Sequence, residues 1–333
     1  MADTRLTLML DADPGLLPPA GRIAVFAPAA QADLSALPQG RVHVIQGFKP
    51  DHDAWAARGY DCGVAPAGDY AAAVVFVPRA KDLARMMVAQ AADLAPDGIV
   101  LIDGQKTDGI DSLLKACRAK ADCSAALSKS HGKIFAIHCP GDRFGDWKAG
   151  TAMLPDGFVT APGVFSADGV DPASALLADA LAATLKGQVA DLGAGWGYLS
   201  ARALERPGIT QIDLVEADHT ALDCARRNVR DARARFHWAD ATVFGADRSF
   251  DAVITNPPFH TGRAADPGLG VAFLRNAARI LRPGGALWLV ANRQLPYERS
   301  LGDFFAKVEE IGGDTKFKLL RATGPKTASR RGR

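Results

Sequence analysis

The chain has 333 residues, 48% of them hydrophobic, with 39 Lys and Arg against 37 Asp and Glu for a formal charge of +2. That length is too great for one ordinary domain and suits two of about 150 residues, each with enough apolar content for its own core. No apolar run reaches the roughly 18 residues a membrane span needs, and no basic segment leads into an apolar signal-like stretch, so a soluble, cytoplasmic protein is expected.

The cysteines Cys62, Cys117, Cys123, Cys139 and Cys224 form no CxxC pair, and the seven histidines show no ligand spacing with them. This points to a reducing compartment and no metal site. Charge is unevenly placed: Glu is absent before Glu205, and after Asp314 the chain carries seven cations and no acid. The last stretch, 326–333, reads as a basic, solvated tail whose charges could also meet nucleic-acid phosphates.

In chain order, short apolar runs at 23–26, 42–45, 73–77 and 99–102 alternate with helical patterns. A second series at 189–192, 212–215, 252–254 and 286–290 does the same. Such alternation predicts an α/β protein with parallel, doubly wound sheets covered by helices. Leu94, Ala95, Pro96, Asp97, Gly98 and Ile99 parallel Leu281, Arg282, Pro283, Gly284, Gly285 and Ala286, each a helix ending at a Pro and Gly turn before a strand. The Val77, Pro78 step likewise ends a strand where Thr255, Asn256, Pro257 ends one later. An old duplication accounts for these echoes: a degenerate copy at 1–145 and a catalytic copy at 160–325, with the boundary in the Gly-, Pro- and Asp-rich stretch 138–161. Residues 173–185 read as the helix that leads into the second copy's first strand.

That strand, 189–192, breaks into Gly193, Ala194, Gly195, Trp196, Gly197. Glycines there permit positive φ and let a ligand lie on bare backbone. A dinucleotide site wants GxGxxG, and Tyr198 stands where its third glycine belongs, which disfavours a nicotinamide cofactor. GxGxG after an acid is instead the pattern of S-adenosylmethionine enzymes, with Asp191 turned toward the cofactor's ammonium group. Glu216, closing the second strand, is placed for the ribose hydroxyls, and Asp240, after the third, for the adenine amine. Ala217 and Ala241 follow these acids, and with Asn256 they complete the cofactor set.

The fourth strand runs into Asn256, Pro257, Pro258, Phe259. An exocyclic amino nitrogen is a poor nucleophile because its lone pair is delocalised. Two rigid acceptors, the Asn256 side-chain oxygen and the Pro257 carbonyl, would hold its N–H groups so that the lone pair meets the methyl. The prolines stiffen the turn and fix their own φ, and Phe259 offers a face on which a base can stack, worth about 1–3 kcal/mol. Phe165, His260, Arg263 and Arg293 are further candidates for substrate contact.

On Pro162 to Ser166 with Asp171, Asp191 to Gly197, Asn256 to His260, Val290, Ala291, Asn292 with Leu295, Pro296, Tyr297, and Lys316, Phe317, Lys318 with Arg321, Ala322, the chain resembles the bacterial ribosomal RNA small subunit methyltransferase C family. The resemblance implies two tandem class I methyltransferase-like domains, the first degenerate. It further implies S-adenosyl-L-methionine as cofactor, and methyl transfer to the N2 amine of a flipped guanine in 16S rRNA of the small subunit by a monomer. Asp191, Gly193, Gly195, Glu216 and Asp240 would then bind cofactor, while Asn256, Pro257 and Phe259 hold the guanine. Trp196 departs from the family, where smaller or polar residues are frequent. Large-subunit (23S) guanine N2 enzymes share these motifs, and adenine N6 and glutamine N5 methyltransferases use similar elements. A rival without catalysis is an RNA-binding assembly factor.

Overall fold

The computed structural model describes residues 4–96, 98–138, 142–258, 260–261, 264–265 and 267–326. The chain forms two compact units, Met1–Thr151 and Ala152–Arg333. The first carries α1 (Arg5–Ala12), β1 (Ile23–Phe26), β2 (Val42–Ile45), α2 (Lys49–Ala57), β3 (Asp61–Gly63), β4 (Ala72–Phe76), α3 (Lys81–Leu94), β5 (Ile99–Gln105), α4 (Ile110–Arg118), β6 (Leu127–Lys129) and β7 (Gly132–His138). Its sheet has the order β3-β2-β1-β4-β5-β7-β6.

The second unit carries β8 (Ala152–Met153), β9 (Val159–Thr160), α5 (Pro172–Ala180), β10 (Gly187–Leu192), α6 (Tyr198–Ala203), β11 (Ile209–Glu216), α7 (His219–Asn228), β12 (Ala234–Trp238) and β13 (Phe250–Thr255). It continues through β14 (His260–Thr261), β15 (Ala264–Ala265), α8 (Pro267–Ile280), β16 (Leu281–Asn292), α9 (Tyr297–Phe304), β17 (Phe305–Gly313) and β18 (Phe317–Pro325). Its main sheet has the order β12-β11-β10-β13-β16-β18-β17. Numbered within each seven-stranded sheet, both read 3-2-1-4-5-7-6, which is the duplicated α/β architecture expected.

The central strands form because Val, Ile, Leu and Ala predominate in them and are covered on both faces. Val189, Ile212, Leu214 and Ile254 pack on one side of the second sheet, and Ala190, Leu192, Val253 and Leu287 on the other, against α8. Burying each large aliphatic side chain contributes about 2 kcal/mol. Two helix starts are fixed by carboxylates: Asp171 accepts from Ser174 N at the head of α5, and Asp218 from the Thr220 and Ala221 N–H groups at the head of α7.

Two expectations need correction. The sheets are not wholly parallel, since β7 pairs antiparallel with β5 and β6, and β18 with β16 and β17. In β17 Lys307 and Glu309 lie among mostly solvent-facing residues, so no continuous apolar run announces this edge strand. The helix expected over 173–185 stops at Ala180, because the Arg206 guanidinium takes the carbonyls of Ala178 and Leu181 (3.0 Å each) and the chain turns extended at Leu181.

Register aligns the two copies residue by residue. Ala27 N donates to Ile45 O and Gly193 N to Val215 O, both at 2.9 Å, and both residues adopt positive φ (49° and 74°). Gln46 therefore corresponds to Glu216, Val25 to Asp191 and Phe76 to Asn256. In the first copy Gln46 Nε2 and Trp55 Nε1 both donate to Pro28 O at 2.9 Å, while Gln46 Oε1 accepts from Phe48 N. This cradle is closed by its own hydrogen bonds. Gln46→Glu replaces a buried donor with an oxygen facing a carbonyl oxygen. It is expected to destabilise the first unit by about 3 kcal/mol, read as an earlier first transition in chemical denaturation; an unchanged midpoint would contradict the closure.

Candidate active site

The C-terminal ends of neighbouring strands in the second sheet present the candidate residues in spatial order: Asp240 after β12, Glu216 at the end of β11, Gly193 to Gly197 after β10 and Asn256 after β13. Strand order reverses between β10 and β13, and the crevice at such a switch point is where open α/β sheets take ligands. Leu192 and Thr255 are register partners, and Thr255 Oγ1 donates to Leu192 O at 2.7 Å, which ties the glycine turn to the segment bearing Asn256.

All three glycines of the turn have positive φ: 74° at Gly193, 55° at Gly195 and 91° at Gly197. A Cβ on Gly197 would press on Ala225 and Val229 at 3.0–3.3 Å, so this glycine serves the packing of α7. A Cβ on Gly195 would meet nothing within 4 Å, so there the open space lies on the ligand side. Ala194 is buried beneath the turn.

Asp191 is fully buried; its Oδ2 accepts from Ser200 Oγ at 2.7 Å, while among the described residues Oδ1 has no partner. Burial pushes its carboxyl up to about 7; the Ser200 hydroxyl opposes the rise and the nearby Glu216 charge adds to it. Glu216 is held by backbone on both oxygens, Oε2 accepting from Gly195 N and Oε1 from Asp218 N at 2.8 Å each. Its carboxyl is also raised, by burial first. A carboxylate has about four acceptor sites, so Glu216 retains capacity for two hydroxyls. Asp240 Oδ1 accepts from Thr242 N and Oγ1, which fixes the turn after β12. Ala217 O accepts from Trp238 Nε1, and Ala241 O from Asn276 Nδ2.

Asn256 Nδ2 donates to Asp171 Oδ2 and to Ser174 Oγ, both at 2.9 Å. An ionised carboxylate only accepts, so the amide nitrogen must face Asp171, and the amide oxygen is the end turned away from it. Asn256, Asp171, Ser174, Phe165 and the glycine turn line one pocket. A buried carboxylate oxygen without a partner, bare glycine backbone and an oriented amide oxygen suit a cofactor with an ammonium head group beside an N–H-bearing acceptor.

Among the remaining expected residues, Pro257 is buried and Pro258 partly so. Phe165 stands at the pocket with its ring exposed. Phe259 and Arg263 lie outside the described residues, and of His260 the backbone alone is described, in β14. Arg293 is committed elsewhere: its guanidinium donates to Asp314 O, Glu310 Oε1 and Phe317 O, bracing the β17–β18 hairpin. Sequence reasoning did not give Asp171, Ser174, Ser200 or Trp196 a place in the site. Asp-Pro-x-Ser ahead of a helical run marks an N-cap, and it could have located Asp171. Among the described residues no cluster of three or more His, Cys, Asp or Glu could hold a metal, and no helix is long and apolar enough to cross a membrane.

The methyltransferase small domain family matches residues 156–321. The chain is 29% identical over 332 residues to the ribosomal RNA small subunit methyltransferase C of Hahella chejuensis, covering 91% of this chain and 94% of that protein. It is 32% identical over 275 residues to the Pseudomonas paraeruginosa protein of the same name, covering 78% and 81%. Among solved structures it is similar to the T. thermophilus 16S rRNA N2 methyltransferase RsmC in complex with AdoMet and guanosine, at a TM-score of 0.78 and 25% identity, covering 97% of this chain and 92% of that one.

Between about pH 4 and 7 the folded chain holds a proton on Asp191 that the unfolded chain has released, so this group's contribution to the stability of the ligand-free protein falls as pH rises through that window. An ammonium group beside Asp191 favours the carboxylate, so binding below pH 7 must expel the proton. Affinity for S-adenosylmethionine is therefore expected to rise by up to about tenfold per unit from pH 5.5 to 7, with proton release seen by calorimetry in two buffers. Asp191→Asn should bind more weakly and lose this dependence. A pH-independent wild-type affinity would contradict the role of Asp191.

Proposed function

The chain belongs to the ribosomal RNA small subunit methyltransferase C family, and from that premise we propose that it methylates the exocyclic N2 amine of a guanine in 16S rRNA. The observation that carries this reading is the fixed amide of Asn256, its nitrogen held by Asp171 and Ser174, on a residue that lines the pocket beside the glycine turn. The chain is an S-adenosylmethionine-dependent rRNA methyltransferase; the position of the acceptor atom and the residue roles are our inference.

When bound, S-adenosylmethionine supplies an electrophilic methyl on a sulfonium. The residues proposed to hold it are Asp191 at the ammonium group, Gly193 to Gly197 along the amino-acid portion, Glu216 at the ribose and Asp240 with Ala241 at the adenine. Asn256 Oδ1 and the Pro257 carbonyl each accept one N–H of the guanine amine. Held this way, the amine pyramidalises, so its lone pair is drawn out of conjugation with the ring and points at the methyl carbon. As the N–C bond forms the S–C bond breaks, and the nitrogen, briefly cationic, sheds one N–H proton to water. No strong base is needed beforehand, so positioning supplies much of the rate.

Pro257 and Pro258 keep the acceptors from rotating away, and Phe259 gives the base a face to stack on. A guanine inside a helix must be extruded at a cost of a few kcal/mol, so a structured subunit that already presents it should be a better substrate than generic duplex. We assign the first unit to binding or bracing the RNA-bearing particle; its cradle around Pro28 is closed by Gln46 and Trp55, so we give it no cofactor. The basic stretch 326–333 could add phosphate contacts; 327–333 lie outside the described residues.

The test is transfer of labelled methyl to unmodified small ribosomal subunits, followed by nucleoside analysis. N2-methylguanosine is the expected product. Asn256→Ala should lose on the order of 10²-fold or more in turnover while still binding cofactor. Label on adenine, on a protein glutamine or in large subunits alone would remove the assignment.

A further inference from the structure

Trp196 is the residue of the glycine turn that the cofactor chemistry leaves unexplained. Its ring is 4% exposed and packs against Phe158 and Tyr198, with centroids at 5.2 and 5.8 Å. A large aromatic in that place fills a small core formed with Leu154, Val164 and Cys224. Core filling alone does not account for its polar edge: Nε1 donates to the carbonyl of Phe165 at 3.0 Å. The Trp196 carbonyl in turn accepts from Asn228 Nδ2 at 2.8 Å, and that side chain also exchanges hydrogen bonds with both backbone groups of Val159.

Phe165 is thus tied, through one indole, to the turn that carries the cofactor's backbone contacts. The residues around it decide where its ring goes. Val164 is buried, and Ser166 adopts a left-handed φ of 52° with its hydroxyl bonded to Gly169 O, so the chain reverses at Phe165 and leaves the ring 58% exposed on the pocket. Thr160 Oγ1 holds Ala167 O at 2.8 Å and pins the far side of the same loop. A non-glycine residue in the left-handed region is held there by its surroundings and often accompanies a ligand clamp.

We propose that Trp196 is a positioning residue for the acceptor: by holding the Phe165 carbonyl it sets the Phe165 ring as a stacking face for the target base at the mouth of the pocket. This rests on reading the pocket as a base-methylating site. It gives the base a second stacking face, Phe165, beside the one proposed for Phe259, and gives Trp196 a function distinct from binding the cofactor.

The experiment measures kcat/KM for methyl transfer to unmodified small subunits, and the cofactor Kd, in Phe165→Ala, Trp196→Phe and the double variant. Trp196→Phe keeps a ring in the core and removes the N–H. Phe165→Ala is expected to lower kcat/KM about tenfold or more and Trp196→Phe about fivefold, each with cofactor Kd within about twofold of wild type. In the Phe165→Ala background, Trp196→Phe should cost nothing further, an outcome that a role confined to the core would not give. Losses that multiply, an unaffected Phe165→Ala, or weakened cofactor binding in Trp196→Phe would each overturn the proposal. If the functional reading itself were wrong, wild-type protein would transfer no methyl to these particles, and the inference would fall with it.

Discussion

The hydrogen bonds from the Asn256 amide to Asp171 and Ser174 are the constraint on which the site depends. An amide can present either end to a ligand, and only its surroundings choose. Here a carboxylate at the head of α5 takes the nitrogen and leaves the oxygen for an N–H donor. The same Asp171 oxygen caps the helix through Ser174 N at 2.8 Å, so the orientation of a side chain on one strand is set by the start of a helix far away in sequence. Thr255 supplies the second coordinate by binding the end of β13 to Leu192, next to the glycine turn.

Comparing the two units shows how small a change separates an open cradle from a closed one. In the second, the peptide between Ala194 and Gly195 turns its N–H to the Glu216 carboxylate. In the first, the corresponding peptide turns its carbonyl to the Gln46 amide. Carboxylate for amide reverses the polarity, and the backbone follows. With Val25 at the place of Asp191 and Phe76 at that of Asn256, neither the carboxylate nor the amide of the second unit has a counterpart there.

Much of this was legible in the sequence because it rests on short-range rules. Short, mainly apolar runs give the central strands of both sheets, the glycine spacing gives the turn after β10, and Asn-Pro-Pro can end a strand in few other ways. What was not legible depends on distant partners. The hairpins β6–β7 and β17–β18 include a half-exposed edge strand whose pattern is polar. The end of α5 is decided by Arg206 and the engagement of Arg293 by the hairpin turn beside it, neither of which a local pattern contains. Asp-Pro-x-Ser at 171–174 could have marked a helix start, but the grip of Asp171 on Asn256 spans 85 residues.

The central claim is that Asp171 acts on the reaction only by orienting Asn256, and methyl-transfer kinetics of Asp171→Ala, Asn256→Ala and the double variant test it most directly. The account predicts that Asp171→Ala loses turnover while retaining cofactor affinity, and that the double variant is no slower than Asn256→Ala. Full turnover in Asp171→Ala, or losses that multiply in the double variant, would contradict it.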